Sequence, residues 1–194
     1  MGALCATMDM NKSSVFYSTT MSYKDGNEMV DNLNLYLDEA LKCYKKIIGA
    51  YPEKIVMYRD GVGEGQIDTV QHQEVDPICR TLKRIYGNSE EVKFAYIIVN
   101  KRVNARFFKK TAHGQAMNPR PGTVIDRTVT IGGRDDFYLV SQHVGQGTVA
   151  PTYYHVLYNS TGLNNDKLQI LSFKLCHLYY NWSEYSRILG IRKL

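Results

Sequence analysis

The chain has 194 residues, of which 44% are hydrophobic and 22% charged, and this composition predicts one globular domain and excludes a disordered chain. The net charge of +5 is compatible with an anionic partner such as nucleic acid, although many basic proteins bind none. No apolar run approaches the roughly 18 residues that span a bilayer, so we expect no membrane partner. The four cysteines lack zinc-binding spacing, and free thiols of this kind favour the reducing cytoplasm or nucleus.

The N-terminal part predicts a hairpin followed by a helix. Residues 2–8 and 15–20 form two short runs that a turn composition separates, which is typical of a β-hairpin. Residues 25–28 then open a segment whose apolar positions repeat at spacings of three and four as far as Ile48. Gly49 is a natural end for this helix.

Strands and helices alternate after the hairpin. Residues 55–58 and 94–99 are short apolar runs suited to buried strands. A helical pattern lies between them, beginning at Ile67, interrupted at Pro77 and ending at Gly87. This alternation predicts an α/β sheet that contains parallel strands.

The C-terminal half begins with a long polar and basic loop. Residues 101–121 predict a loop with few internal constraints, and residues 123–131, 137–141 and 153–158 predict strands. A final helix is expected over residues 168–182, whose leucines share one face. No repeat or second domain is evident.

Asp60 is the first candidate for chemistry, because it follows a buried strand and glycines follow it. Ligands of open α/β sheets bind at the carboxyl ends of strands, and a carboxylate there suits a hard cation such as Mg²⁺. The alternative is that Asp60 caps the helix that follows. Glu28 has a similar alternative, since it lies three residues after Asp25 in the spacing of a capping box.

A basic stretch follows the strand at residues 94–99. It holds the cations Lys101, Arg102, Arg106, Lys109 and Lys110, interleaved with Asn104, Phe107 and Phe108. Such residues can hold RNA phosphates while a ring stacks on a base. The alternative is a solvated loop whose phenylalanines pack into the core. A lone histidine in a strand or helix is usually structural, and His155 and His177 are interpreted so.

Several segments together resemble the PIWI domain of Piwi-clade Argonautes. They occur in family order over about 180 residues and are Tyr58-Arg59-Asp60-Gly61-Val62-Gly63-Glu64-Gly65-Gln66, Lys101-Arg102-Val103-Asn104-Ala105-Arg106-Phe107-Phe108, Asn118-Pro119-Arg120-Pro121-Gly122-Thr123-Val124-Ile125-Asp126, Asp136-Phe137-Tyr138-Leu139-Val140-Ser141-Gln142, Gly147-Thr148-Val149-Ala150-Pro151-Thr152 and Lys174-Leu175-Cys176-His177-Leu178-Tyr179-Tyr180-Asn181-Trp182-Ser183. The resemblance implies a ribonuclease-H-like α/β fold with a mixed sheet flanked by helices.

The resemblance also implies site residues. Members that cleave RNA do so with a guide and two metal ions, normally Mg²⁺, held by a tetrad of Asp, Glu, Asp and a last residue, often His. Asp60 matches the second Asp of that tetrad and would be a metal ligand. Glu28, 32 residues earlier, falls where the family has its mobile glutamate. Lys101, Arg102, Asn104 and Arg106 match positions near the guide backbone.

Two departures from the family pattern limit what the resemblance implies. The first tetrad Asp and its central strand are expected to precede the segment that this chain begins with. Residues 1–183 are therefore expected to form a partial PIWI domain, and residues 184–194 a tail outside the family pattern that replaces the last tetrad position. Because only two of the four tetrad positions are matched, we expect an RNA-binding module that does not cleave RNA by itself.

The expected partners are a guide small RNA and a target RNA, and neither a membrane nor a small-molecule substrate is expected. Two alternatives remain open from the sequence. One is an active RNA-cleaving nuclease. The other is a truncated fragment that acts in protein interactions or has no function of its own.

Overall fold

The computed structural model describes residues 2–8, 15–21, 33–87 and 93–178. The chain divides into two compact units by its internal contacts. Unit 1 comprises residues 1–57, 63–96 and 158–161, and unit 2 comprises residues 58–62, 97–157 and 162–194. Among the described residues, no helix combines the length and apolar character needed to cross a bilayer.

Unit 1 begins with the predicted hairpin, which the structure confirms. Strands β1 (Gly2–Thr7) and β2 (Phe16–Met21) pair antiparallel and form a sheet of their own. Helix α1 (Leu33–Ile48) buries the apolar face that the spacing predicted, including Leu37 and Leu41. The predicted start of this helix at residues 25–28 lies outside the described residues.

The second helical segment of unit 1 changes its winding along its length. A 3₁₀ turn (Glu64–Gln66) leads into α2 (Ile67–Val70), a π turn (Gln71–Val75) and α3 (Asp76–Tyr86). Pro77 lies in the first turn of α3, directly after the π turn, and having no N–H it cannot donate a main-chain hydrogen bond to that turn. The predicted interruption is thus a local change of winding before Pro77, and the helical course continues through it.

The main sheet of the described residues has five strands in the order β3-β4-β9-β8-β7. Their bounds are β3 (Lys54–Asp60), β4 (Lys93–Asn100), β7 (Val124–Ile125), β8 (Asp136–Leu139) and β9 (Thr152–Asn159). Residues 94–98 of β4 are at most 1% exposed, which makes this strand the centre of the core. Among the strands that the structure describes, β3 lies at an edge of this sheet.

Unit 2 contains the antiparallel series β7, β8 and β9. Helix α4 (Asn165–Cys176) begins at Asn164, whose side-chain oxygen accepts a 3.1 Å hydrogen bond from the Lys167 N–H. The predicted leucine face is only partly right, because Leu168 is fully buried whereas Leu171 and Leu175 are half-buried and Leu178 is 45% exposed. The other buried residues of this helix are Gln169 and Ser172. Residues 179–182, the predicted end of the helix, lie outside the described part of the chain.

Two sequence predictions about the loops of unit 2 are wrong. The loop at residues 101–121 contains a hairpin of β5 (Lys109–Lys110) and β6 (Ala116–Met117). The strand predicted at residues 123–131 is only the two-residue β7. Asp126 leaves the strand because its carboxylate accepts a 3.0 Å hydrogen bond from Gln169, and Thr128 has a positive φ of 70°. Contacts with α4 therefore outweigh the tendency of the β-branched residues in this segment to form a strand.

Candidate functional site

Asp60 lies at the end of β3, in unit 2, with its side chain 59% exposed. Gly61 follows with a φ of +83°, a conformation that L residues with a Cβ rarely adopt, and it turns the chain away from the strand. Val62 is buried and anchors this turn. The strand end and the turn together leave the carboxylate facing solvent.

The alternative that Asp60 caps the next helix is wrong. The residue at the N-terminus of the 3₁₀ turn is Gly63, and its N–H donates a 3.1 Å hydrogen bond to Oε1 of Gln66. Asp60 therefore has no capping role, and its carboxylate is available to a cation or to a basic side chain.

Exposed and half-buried residues alternate along the basic stretch after β4, as they do in an extended chain. Lys101, Arg102, Asn104 and Arg106, the predicted RNA contacts, are all exposed. The neighbouring residues Val103, Ala105 and Phe107 are half-buried. Half-buried small and aromatic residues thus hold this segment while its polar side chains face solvent.

The two phenylalanines of this stretch have different environments. Phe107 packs edge-on against Tyr138, with ring centroids 5.2 Å apart, so it anchors the segment. Phe108 is 54% exposed and is the ring that can stack on a base. Arg106 is less free than its exposure suggests, because its Nη1 donates 2.7 Å hydrogen bonds to the main-chain oxygens of Val103 and Ala105.

Asp60 and Lys101 are in direct contact. The Nζ of Lys101 lies 2.6 Å from Oδ2 of Asp60, although the lysine side chain is 65% exposed. The structure thus brings together the predicted cation ligand and the first predicted phosphate ligand. Glu28, the other predicted catalytic residue, lies outside the described residues.

The described residues do not fit a two-metal centre. Mg²⁺ takes about six oxygen ligands, and two adjacent ions need several carboxylates. No group of three or more histidine, cysteine, aspartate or glutamate side chains in the described ranges could hold a metal ion. Asp60 supplies one carboxylate there, and Lys101 already contacts it.

Asn118 is a residue of this unit that sequence reasoning missed. Its Nδ2 donates to the Gly147 oxygen at 2.8 Å, and its Oδ1 accepts from the Val149 N–H at 3.1 Å. One amide thus clamps the loop at residues 118–122 to the loop at residues 145–149. The available signal was the tendency of Asn next to proline and glycine to bond main-chain groups in turns.

The two histidines interpreted as structural have structural environments. His155 is buried in β9, opposite Asp136 of β8. Nδ1 of His177 donates to the Phe173 oxygen at 2.8 Å, and its ring packs edge-on against Phe173. Neither residue is among the groups that could form a metal site.

All four cysteines are free thiols, of which Cys5 is exposed and the other three are half-buried. Burial raises the pKa of Cys79 and of Cys176, and both therefore remain protonated at neutral pH.

Comparison with known proteins gives the same family throughout. Residues 1–190 match the Piwi domain family. The chain is 45% identical to the Piwi-like protein Siwi of Bombyx mori over 190 residues, which are 98% of this chain and 21% of Siwi. The crystal structure of Drosophila Piwi is similar at 43% identity with a TM-score of 0.79, over 93% of this chain and 24% of that one. The Kluyveromyces polysporus Argonaute with a guide RNA is 28% identical with a TM-score of 0.77, over 90% and 22%.

Proposed function

We propose, from the premise that this chain belongs to the Piwi domain family, that it is an RNA-binding module of a small-RNA-guided gene-silencing protein of the piRNA type. Its fold is ribonuclease-H-like α/β, as in the Argonaute structures that it resembles. The chain spans about a fifth of the length of the curated relatives it matches, so the activity of a whole protein belongs to the proposal. The proposed partners are a guide small RNA and a target RNA, in the cytoplasm or nucleus.

The observation that supports this proposal is the row of exposed side chains after β4. Lys101, Arg102, Asn104 and Arg106 face solvent from a segment that half-buried neighbours hold in place. Cations neutralise phosphates and release counterions, and the amide of Asn104 can bond a phosphate or sugar oxygen. A similar fold holds a guide RNA in the Kluyveromyces Argonaute.

A charge-matched pair of triple variants tests RNA binding. One variant carries Lys101→Ala, Arg102→Ala and Arg106→Ala. The control carries Lys46→Ala, Arg80→Ala and Lys83→Ala, three exposed cations of unit 1, and has the same net charge. We expect the first variant to lose about tenfold or more in affinity for single-stranded RNA, and the control to change little. Equal losses would reject this RNA interface and indicate a general charge effect.

Asp60 and Glu28 are the proposed members of a catalytic tetrad, and Mg²⁺ is the cation that Asp60 would bind. One described carboxylate is too few to hold two cations that repel each other. We therefore expect the purified chain to show no guide-directed RNA cleavage in Mg²⁺, measured with a labelled target. Robust cleavage that Asp60→Ala abolishes would establish the alternative, an active nuclease.

A further inference from the structure

The row of exposed side chains after β4 continues onto the β5–β6 hairpin. Every second residue from position 102 to position 110 is exposed, and these residues are Arg102, Asn104, Arg106, Phe108 and Lys110. The residues at positions 103, 105 and 107 are half-buried. Because successive side chains of an extended chain point to opposite sides, the five exposed residues share one side. At a rise of about 3.3 Å per residue the row is about 26 Å long, so several nucleotides can lie along it.

The segment that contains this row is positively charged and has no carboxylate of its own. Residues 101–125 include six lysines and arginines and neither aspartate nor glutamate. These cations are Lys101, Arg102, Arg106, Lys109, Lys110 and Arg120. The net charge of the whole chain is only +5, so the excess positive charge of the chain is concentrated here. Such a surface attracts an anionic partner.

Contacts at both ends fix the base of the hairpin. On the β5 side, Phe107 packs against Tyr138. On the β6 side, the amide of Asn118 bonds the main chain of Gly147 and of Val149. The hairpin therefore presents its exposed side chains from a fixed place, which lowers the entropy lost when a ligand binds them.

The two large apolar side chains of the hairpin lie on opposite faces. Lys109 pairs with Met117, and Lys110 pairs with Ala116. Directly paired residues share a face, and alternation along the strand places Phe108 on the face of Lys110. Phe108 is 54% exposed and Met117 is 56% exposed. Each face thus has one apolar side chain beside a cation, and neither is the continuous apolar surface that enters a bilayer.

A nucleotide matches the chemistry of the face that carries Phe108. The exposed ring offers a surface on which a base can stack, and the neighbouring ammonium of Lys110 can contact a phosphate. The bases of a duplex already stack on their neighbours. The ring therefore reaches the face of a base only where the strand is unpaired.

We propose that Phe108 and Lys110 form a subsite for one unpaired RNA nucleotide, which makes the hairpin select single-stranded over double-stranded RNA. The Phe108 ring stacks on the base, and Lys110 binds the phosphate. The inference rests on the proposed RNA binding by residues 101–106 and adds selectivity to it. Contacts with phosphates alone do not provide that selectivity, because both forms of RNA present phosphates.

The ratio of affinities for a single-stranded RNA and for its long blunt-ended duplex tests the Phe108 contact, with the whole 194-residue chain and without divalent cations. We expect Phe108→Ala to weaken single-strand binding about fivefold or more and to change duplex binding little, because stacking on one base is lost. Phe108→Trp should retain the wild-type ratio, whereas Phe108→Leu, which is apolar but has no ring, should resemble Phe108→Ala. Met117→Ala is the matched control, since it removes a similarly exposed apolar side chain from the opposite face.

The salt dependence of single-strand binding tests the Lys110 contact. Lys110→Ala should reduce the slope of log affinity against log salt by about 0.7, the value for one phosphate of a single strand. Lys109→Ala removes the same charge from the opposite face and should reduce the slope by less. Equal changes in the two variants would overturn the assignment of the phosphate to the face of Phe108.

The outcomes separate this inference from the proposed function. If the variant that lacks Lys101, Arg102 and Arg106 loses RNA affinity but Phe108→Ala retains the wild-type ratio, the subsite is overturned and the proposed function stands. If that triple variant binds RNA as the wild type does while Phe108→Ala loses single-strand selectivity, the subsite stands and the proposed interface at residues 101–106 fails. Equal losses in Phe108→Ala and Met117→Ala, together with binding of the wild type to phosphatidylserine vesicles, would assign the hairpin to a membrane surface and overturn the subsite.

Discussion

The hydroxyl of Tyr153 on β9 donates a 2.6 Å hydrogen bond to Oδ2 of Asp136 on the neighbouring strand β8. Asp136 is only 3% exposed. Its other donor to that oxygen is the Ile131 N–H at 3.4 Å, and Oδ1 accepts no hydrogen bond from a described residue. Tyr153 is therefore the main donor to a buried carboxyl group.

Tyr153→Phe should lower the free energy of unfolding by about 1–3 kcal/mol, because it removes this donor and leaves the buried carboxyl group poorly satisfied. Tyr51→Phe is the matched control. The Tyr51 ring packs 5.3 Å from that of Tyr86, but its hydroxyl makes no hydrogen bond with a described residue. Urea denaturation of both variants would measure the difference, and equal stabilities would refute the role of Tyr153.

The same contact predicts a loss of stability in alkali. Burial, and then the hydrogen bond to Asp136, raise the pKa of Tyr153 well above the ordinary 10.0. A raised folded-state pKa stabilises the fold fully below about pH 10, and this contribution is lost as pH rises through the folded-state value. Burial also raises the pKa of Tyr86 to about 12, so the loss should continue over that range.

The alkaline prediction is checked by the free energy of unfolding at about pH 8 and about pH 11, on either side of the ordinary tyrosine pKa. Wild type should lose stability between these values, and Tyr153→Phe should lose less because it cannot ionise. The same loss in both proteins would assign the effect to other groups.

Substitutions at three glycines of unit 2 distinguish the energetic cost of backbone strain from the cost of steric crowding. Gly122 has a φ of +88°, and a Cβ there would lie 3.2 Å from Cζ of Phe173. Gly133 has a φ of +84° with nothing near its Cβ position, and Gly132 has neither constraint. Alanine should cost about 1–2 kcal/mol at Gly133, more at Gly122, and least at Gly132. Thermal or urea unfolding that ranks Gly132→Ala as the most destabilising would contradict this order.

The edge position of β3 predicts weak protection of its amides. β3 is half-buried through residues 55–59, whereas residues 94–98 of β4 are at most 1% exposed. Edge strands with one paired side open more readily than central strands. Hydrogen exchange should therefore be faster in β3 than in β4, which is the internal control. Similar protection in the two strands would show that β3 is paired on both sides in solution.

Local patterns predicted the hairpin, α1, β3, β4, β8 and β9, because each has a clear period or apolar run. They failed at residues 123–131, where Asp126 accepts a hydrogen bond from Gln169 of α4, a residue 43 positions later in the sequence. Likewise, the hairpin at Lys109–Met117 has two-residue strands that are too short to produce a period.

The sequence indicated which residues belong to the candidate site but not which of them contact each other. The strand end identified Asp60, and the charge run identified Lys101, Arg102 and Arg106. Nothing in their spacing indicates that Lys101 contacts Asp60, since the 40 residues between them make that contact depend on the tertiary fold. The same holds for the two hydrogen bonds that tie up Arg106.

Photo-cross-linking to a 5′-phosphorylated single-stranded RNA that carries 4-thiouridine tests the central claim most directly. Mass spectrometry would locate the cross-linked residues. The account predicts cross-links in residues 101–110, with the exposed Phe108 among them, and their loss in the variant that lacks Lys101, Arg102 and Arg106. Cross-links confined to unit 1, or unchanged in that variant, would contradict it.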